Sequence, residues 1–156
     1  MSSPSTKINW HRAQPLPTAL AKSLRVNFLQ ISGTGIYNDR NVAGTTRKSA
    51  HAEGRALDIH LNVNRPDEKL IGDSLYRIFI EAAYETGIDN VIWNRMIWSR
   101  AKGEHTYTGV SPHRDHIHVE FTRTGSQQTI WHLLEIKVAQ LRTGLEELSR
   151  AQANIG

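Results

Sequence analysis

The sequence predicts a small α+β fold, in which a sheet is flanked by helices and a further amphipathic helix follows at the C-terminus. Two segments, 55–62 and 116–122, alternate apolar and polar residues, which is the pattern of half-buried strands. Three longer segments, 15–32, 66–86 and 128–152, repeat apolar residues at a spacing of three and four, which is typical of amphipathic helices.

Each predicted strand presents one apolar face and one polar face. In the first strand Asp58 and His60 share the polar face, and in the second His116, His118 and Glu120 share it. Because alternate residues of a strand point the same way, the polar side chains of each strand are expected on one side of the sheet.

Prolines and glycines mark the ends of the predicted helices. Pro15 and Pro66 begin the first two helices, and Gly33 and Gly87 end them. The C-terminal helix carries an apolar stripe, for which three interpretations stay open: packing on the sheet, a fraying tail, or a weak dimer contact. The stripe consists of Trp131, Leu134, Val138, Leu141, Leu145 and Leu148.

Two segments are predicted to lie outside the main elements. Residues 33–48 are rich in Gly, Thr, Asn and Asp, so we expect a loop with a short strand near Tyr37. Residues 94–112 are expected to form a loop or hairpin that borders the pocket.

Composition limits the possible classes of protein. The 156 residues fit one domain over 1–156, with a motif-bearing core at about 16–123. Apolar runs are too short for a membrane span, and no signal-type stretch follows the polar start. The net charge of +4 favours an anionic partner. Since the basic residues are scattered, we do not expect a nucleic-acid partner.

Two short motifs together supply the ligands of a metal site. The chain has no cysteine, so a metal would be held by nitrogen and oxygen. His51 on a loop, Asp58 on the first strand and His118 on a neighbouring strand can converge on one ion, with Gly54 at the sharp turn between the first two. Three such ligands leave one position open for water, as catalytic zinc requires.

The second motif also supplies a candidate base. Asp115 comes three residues before His118 and is predicted to take a proton from the attacking water. Its strand parity differs from that of His118, so this role requires it to lie in the turn before the strand. His113, or as second choice His116, is expected to stabilise the oxyanion or to orient Asp115.

These motifs resemble a known family of zinc peptidases. Ser-x-His-x-x-Gly-x-Ala-x-Asp at 49–58 and His-x-Asp-His-x-His at 113–118 are similar to the D-alanyl-D-alanine carboxypeptidase and L-alanyl-D-glutamate endopeptidase family, which includes vancomycin-resistance-type carboxypeptidases and phage endolysins. The similarity extends from about Ile36 to Phe121. It implies an antiparallel sheet, as in the Hedgehog signalling domain.

The resemblance also implies roles for individual residues. It assigns one zinc ion to His51, Asp58 and His118, and the general base to Asp115. Ser49 matches a serine near the metal cleft.

Substrate residues follow from the same resemblance. The segment Tyr37-Asn38-Asp39-Arg40 resembles a motif of the extensin-like branch, which would make Arg40 the clamp for a substrate carboxylate, with Arg47 as the competing candidate. Trp98 is expected in the pocket wall or the core, and His60 as a structural histidine.

We therefore expect a zinc peptidase that hydrolyses peptidoglycan stem peptides at a bond involving a D-amino acid, as a carboxypeptidase or an endopeptidase. Two alternatives are a zinc-stabilised binding module without activity and, less favoured, a metal-dependent nuclease. A nuclease of that kind favours carboxylate ligands for magnesium, whereas this chain gathers imidazoles.

The absence of a recognisable export signal shapes the expected biology. The protein is expected to be made in a bacterial or phage-infected cytoplasm and to act at the cell wall or periplasm. It would arrive there as a phage-type lysin or as an injected antibacterial effector, in the latter case with a carrier or immunity protein as partner. A monomer, or a weak dimer through the C-terminal helix, is expected.

Overall fold

A computed structural model describes residues 6–156. Its helices are α1 Pro15–Asn27, α2 Pro66–Glu81, α3 Ala83–Thr86, α4 Arg123–Ser126 and α5 His132–Ala153. Its strands are β1 Thr34–Gly35, β2 Ala56–His60, β3 Ile88–Trp93, β4 Met96–Ser99, β5 Gly103–Thr106 and β6 His116–Phe121. One 3-10 turn spans His51–Glu53.

The six strands form one open antiparallel sheet. Their order is β1-β2-β6-β3-β4-β5, and every neighbouring pair runs antiparallel. The predicted α+β class is therefore confirmed. Strand β6, the last in the chain, lies in the middle of the sheet between β2 and β3, which brings the two sequence motifs side by side.

Alternation separates the two faces of the sheet. On β2 and β6, Leu57, Ile117 and Val119 are fully buried in the core, while the alternate residues face the other side. The helices α1, α2 and α5 supply further core residues, among them Leu20, Leu75 and Leu134. Helices therefore cover one face, and the polar face is left for the candidate site.

The predicted helices are present, with two differences at their ends. Helix α1 ends at Asn27 rather than near Gly33, because Phe28 adopts an extended conformation and the chain leaves the helix axis there. The second helix is broken at Ala82, after which α3 ends at Gly87, whose φ of 72° is the left-handed conformation that the glycine predicts.

The segments outside the helices are as predicted except that the short strand lies at Thr34–Gly35 and not near Tyr37, which is in the loop that follows. The 33–48 region holds the short strand β1 and an isolated bridge between Asn41 and Lys48. The 94–112 region is a hairpin, β4 and β5, whose following residues reach the candidate site.

Helix α5 is packed at one end and exposed at the other. Leu134 and Val138 are fully buried among α1 and α2, whereas Leu148 is about half exposed. The first half of the helix therefore packs on the domain, although its main contacts are with α1 and α2 and not with the sheet as predicted. The dimer contact stays a prediction. Among residues 6–156, no helix combines the length and apolar character that a membrane crossing needs.

Candidate metal centre and cleft

The turn that carries His51 is fixed by a close approach of two chain segments. Gly54 ends the 3-10 turn with a φ of 67°, and a Cβ at this position would lie 1.7 Å from the carbonyl oxygen of Arg12. Gln14 fastens the same contact, since its backbone N–H donates to the Gly54 carbonyl at 2.9 Å. The sharp turn predicted at Gly54 is confirmed, and its close backbone neighbour is Arg12.

Asp58 and His118 face each other across two neighbouring strands. They are direct partners in the antiparallel register of β2 and β6, and directly opposed side chains on one face lie about 5 Å apart at their Cβ atoms. The turn places His51 beside this pair. The structure thus brings together the three residues that the sequence singled out.

The ligand atoms of these three residues converge on one point. His51 Nε2 lies 3.2 Å from Asp58 Oδ1 and 3.2 Å from His118 Nδ1, and the latter two atoms are 2.9 Å apart. Tetrahedral zinc with ligands at about 2.0–2.1 Å separates them by about 3.3 Å. The group can therefore hold one metal ion with little movement.

The far side of each imidazole is held by an acceptor. His51 Nδ1–H donates to the Ile36 carbonyl at 2.6 Å, and His118 Nε2–H donates to Glu120 Oε1 at 3.0 Å. Glu120 accepts a second bond from Asn90 Nδ2 at 2.9 Å. These contacts fix the tautomers so that His51 Nε2 and His118 Nδ1 are the ligand atoms, which is the usual support of a metal-bound histidine.

The protonation of the group fits a cation site. Burial lowers the pKa of His118, but hydrogen bonds with Asp58 and Glu120 outweigh it and raise the pKa to about 9. Burial opposes ionisation of Asp58, yet the neighbouring His118 and His51 side chains hold the pKa of its carboxyl well below the usual range. Two imidazole nitrogens and a carboxylate oxygen that face one another are stabilised by a positive charge between them. In the metal-free protein, the proton on His118 supplies this charge.

An open cleft of about 410 Å³ lies over the three ligands. Its walls come from the 40–49 region, from Ile92 on β3 and from residues 107–113 after the hairpin. Arg40 lines this cleft, whereas Arg47 does not, so Arg40 is the better placed of the two candidate carboxylate clamps. Among the described residues that line the cleft, Arg40 is the sole arginine or lysine.

Asp115 lies in the bend just before β6, as its predicted role required. Its side chain is nevertheless 80% exposed and does not line the cleft. The carboxylate accepts a hydrogen bond from His116 Nδ1 at 2.7 Å, which lowers the pKa of Asp115. His116 does line the cleft, and its Nε2 lies 3.9 Å from Asp58 Oδ1.

His113 is buried in the cleft wall with a φ of 50°, an unusual conformation for a residue other than glycine. Its Nδ1–H donates to the Ser111 carbonyl at 2.8 Å, and burial lowers its pKa to about 4. At neutral pH its Nε2 therefore carries no proton. The predicted role as oxyanion donor does not fit this tautomer; His113 is instead a hydrogen-bond acceptor in the wall.

The other predicted site residues have local structural roles. Ser49 is buried at the cleft, and its Oγ accepts from the Ala52 N–H at 3.2 Å, which stabilises the turn that carries His51. Trp98 is buried in the core against the ring of Tyr84 and does not line the cleft, so a substrate contact does not fit its position. His60 is exposed and lies beside His116.

Two contacts that orient the histidines are not predicted from the sequence. Glu120 was placed on the same strand face as His118, and that shared parity is the signal that could have identified it as the partner of the histidine. The Ile36 carbonyl that orients His51 gives no sequence signal, because any residue provides a backbone carbonyl.

Comparison with known proteins identifies one family. The sequence model of the family described as VldE, C-terminal domain, matches residues 10–118. No curated protein and no solved structure matches the chain. The matched segment contains all three ligands and covers more than half of the chain. The chain therefore belongs to the VldE, C-terminal domain family.

Proposed function

We propose that this protein is a zinc peptidase that hydrolyses a peptide bond in bacterial peptidoglycan stem peptides, at a position involving a D-amino acid. The observation that carries the proposal is the convergence of His51, Asp58 and His118 at the base of an open cleft. The resemblance of both motifs to the zinc carboxypeptidase and endopeptidase family supports the reaction and the substrate.

The donor set favours zinc. Two imidazole nitrogens and one carboxylate oxygen suit zinc better than magnesium or calcium, which prefer oxygen ligands. No fourth His, Asp or Glu of residues 6–156 joins the group, so one coordination position stays open to the cleft. Zinc bound there would activate a water and polarise the scissile carbonyl.

We assign the proton transfer to His116, with Asp115 as its positioning partner. Because His116 Nδ1–H donates to Asp115, the lone pair of Nε2 faces the cleft near Asp58. A neutral imidazole in that orientation can take a proton from the attacking water and pass it to the leaving amine. Asp115 holds the tautomer and stabilises the charged ring, rather than acting as the base itself.

Arg40 is the proposed clamp for a substrate carboxylate. It is the cation on the cleft wall and borders both His51 and Asp58 in a smaller depression beside the cleft. A guanidinium binds a carboxylate through two parallel hydrogen bonds, which fixes orientation as well as charge. The substrate would then be held with its scissile bond over the metal group.

Digestion of purified muropeptides tests the proposal. Zinc-loaded protein is incubated with muropeptides, and the products are read by mass, with a chelator control and His116→Gln as the inactive variant. Release of D-Ala would identify a carboxypeptidase, and a cut inside the stem an endopeptidase. His132→Gln, which alters an exposed histidine on α5 paired with Glu135, is the matched control and should cleave normally.

A negative result has a clear meaning in this experiment. If the protein binds zinc stoichiometrically and leaves every muropeptide intact, the peptidase proposal fails and a zinc-stabilised binding module is favoured. Delivery as a phage-type lysin or as an injected effector, with an immunity or carrier partner in the latter case, is part of the same proposal. A comparison of cell lysis when the protein is made inside cells and when it is added from outside separates these two routes.

A further inference from the structure

We propose that the groove between α1 and the edge strand β1 is a substrate subsite, which pairs with an extended peptide and recognises a carboxylate remote from the scissile bond through Lys22 and Arg25. This inference rests on the proposed function and extends it, since it names the part of the substrate that lies outside the metal cleft. Three observations carry it: an open strand edge, two cations, and a wall residue, Ile36, that the groove shares with the depression beside the metal cleft.

Strand β1 ends the sheet and has an unpaired edge. The N–H of His60 donates to the Gly33 carbonyl at 3.0 Å, so Thr34 and its partner Ile59 form a non-hydrogen-bonded pair of the antiparallel ladder. The N–H and C=O of Thr34 therefore point away from β2. A second extended chain can add to these groups, which is a recurrent mode of peptide recognition.

A groove of about 470 Å³ runs along this edge. Helix α1 forms one wall and the edge strand the other; the lining residues are Thr18, Ala21, Lys22, Arg25, Val26, Thr34 and Ile36. Lys22 and Arg25 are exposed, and within residues 6–156 neither forms an ion pair with a carboxylate. The groove thus combines apolar walls with two cations that have no counter-charge.

One wall residue links the groove to the depression beside the metal cleft. A depression at the other side of β1 contains Gly35, Ile36, Arg40, His51 and Asp58 in its wall. It shares Ile36 with the groove, and it shares Arg40, His51 and Asp58 with the cleft. A chain bound over the metal group can therefore pass Arg40, cross the edge at Ile36 and reach Lys22 and Arg25.

The chemistry of the path selects its occupant. Backbone donors and acceptors at Thr34 match a peptide backbone, and two cations match one or two carboxylates, whereas a nucleic acid would need a longer row of cations. Stem peptides offer such a group in the free carboxylate of the D-glutamyl residue. We therefore assign the groove to the acidic part of the stem peptide.

Two synthetic stem peptides test this assignment, one with a free D-glutamyl carboxylate and one with the isosteric carboxamide. Binding to zinc-loaded protein is measured by calorimetry, and kcat and KM by product mass. The variant Lys22→Glu with Arg25→Glu should raise Kd and KM about tenfold for the free acid, from two lost pairs and added repulsion. It should change the values for the carboxamide less than about twofold.

The control variant is Lys102→Glu with Arg150→Glu, which makes the same change of net charge at exposed positions on the β4–β5 turn and on α5. It should bind both peptides as the unaltered protein does. A third variant, Thr34→Pro, removes the outward N–H from the edge and should weaken both peptides several-fold, with zinc stoichiometry unchanged.

The outcomes separate this inference from the proposed function. If both peptides are cleaved and the Lys22/Arg25 variant behaves like its control, the subsite is wrong and the peptidase stands. If neither peptide is cleaved but the free acid binds in a Lys22/Arg25-dependent manner, the peptidase fails and the groove stands as a peptide site. If neither peptide is cleaved or bound, both fail.

Discussion

The floor and the rim of the cleft are built in opposite ways. On the floor, His51, Asp58 and His118 come from buried or half-buried positions, and each histidine is held from behind by a second acceptor. On the rim, Arg40 and Val110 lie on exposed loop segments. The difference teaches that Asp58 and His118 are set by the sheet register and His51 by its turn, whereas the proposed substrate contacts lie on exposed loop segments.

Removing a ligand from the floor should have the largest effect. Asp58→Asn replaces the anionic ligand by a neutral amide and leaves two imidazoles without their counter-charge. We expect zinc affinity to fall by more than about 100-fold, beyond what loss of an outer partner costs, and hydrolysis to be lost with it. Zinc titration by calorimetry measures this. Wild-type affinity in Asp58→Asn would show that the metal lies elsewhere.

Removing the proposed base should abolish turnover while leaving the floor intact. His116→Gln is expected to lower kcat by about 10²–10⁴-fold with nearly unchanged zinc affinity. Asp115→Asn should have a smaller effect on kcat, because it acts through His116. Steady-state kinetics on muropeptides compares the two. A larger loss in Asp115→Asn would return the role of base to Asp115.

Changing the partner behind a ligand should have an intermediate effect. Glu120→Gln removes the carboxylate that accepts from His118 Nε2, and we expect zinc affinity to fall about 10–100-fold. Glu104→Gln is the matched control. Glu104 lies on β5, at the far edge of the sheet, and pairs with Arg77 of α2 at the surface, so this variant should bind zinc normally. Equal affinities in both variants would mean that Glu120 does not support the site.

The pH dependence should have opposite signs with and without metal. Because the pKa of His118 is raised to about 9, zinc must displace a proton below that pH, and its affinity should rise up to about tenfold per pH unit between about 6 and 8. In the metal-free protein, the stabilisation from charged His118 is complete below the unfolded pKa near 6.5 and is lost as the pH rises through about 9.

Two measurements check this contrast. Calorimetry of zinc binding in buffers of different ionisation enthalpy counts the protons released, and about one is expected near neutral pH. Denaturant unfolding of the metal-free protein across the same range measures the free energy of unfolding. Zinc affinity that does not vary with pH would contradict a protonated His118 in the metal-free state.

Strand patterns were sufficient to predict the ligand group. Asp58 and His118 were each placed on the polar face of a strand by alternation alone, and Gly54 marked the turn that brings His51 to them. These predictions held because burial of one face fixes strand register strongly. The helical spacing predicted α1, α2 and α5, because each helix buries one apolar face. Phe28 follows the spacing and is buried in the core, but it lies just beyond the end of α1.

Long-range and side-chain details were beyond the sequence pattern. The exposure of Asp115 follows from its rotation in the bend before β6, and alternation gives no information outside a strand. The tautomer of His113 depends on the Ser111 carbonyl, which no residue type encodes. The burial of Trp98 depends on the packing of the β4–β5 hairpin against Tyr84, a contact between segments far apart in the chain.

Gln14 links the His51 turn to the segment before α1 and to the segment after α4. Its side-chain amide donates to the carbonyls of Asn9, Arg12 and Glu53 and accepts from Gln127, while its backbone holds Gly54. A local opening of the turn would break the bonds from Gln14 to Glu53 and to Gly54 together. Amide hydrogen exchange around His51 should therefore be slower than in the exposed loop before it, because the turn that carries the candidate ligand opens only when it separates from the start of α1.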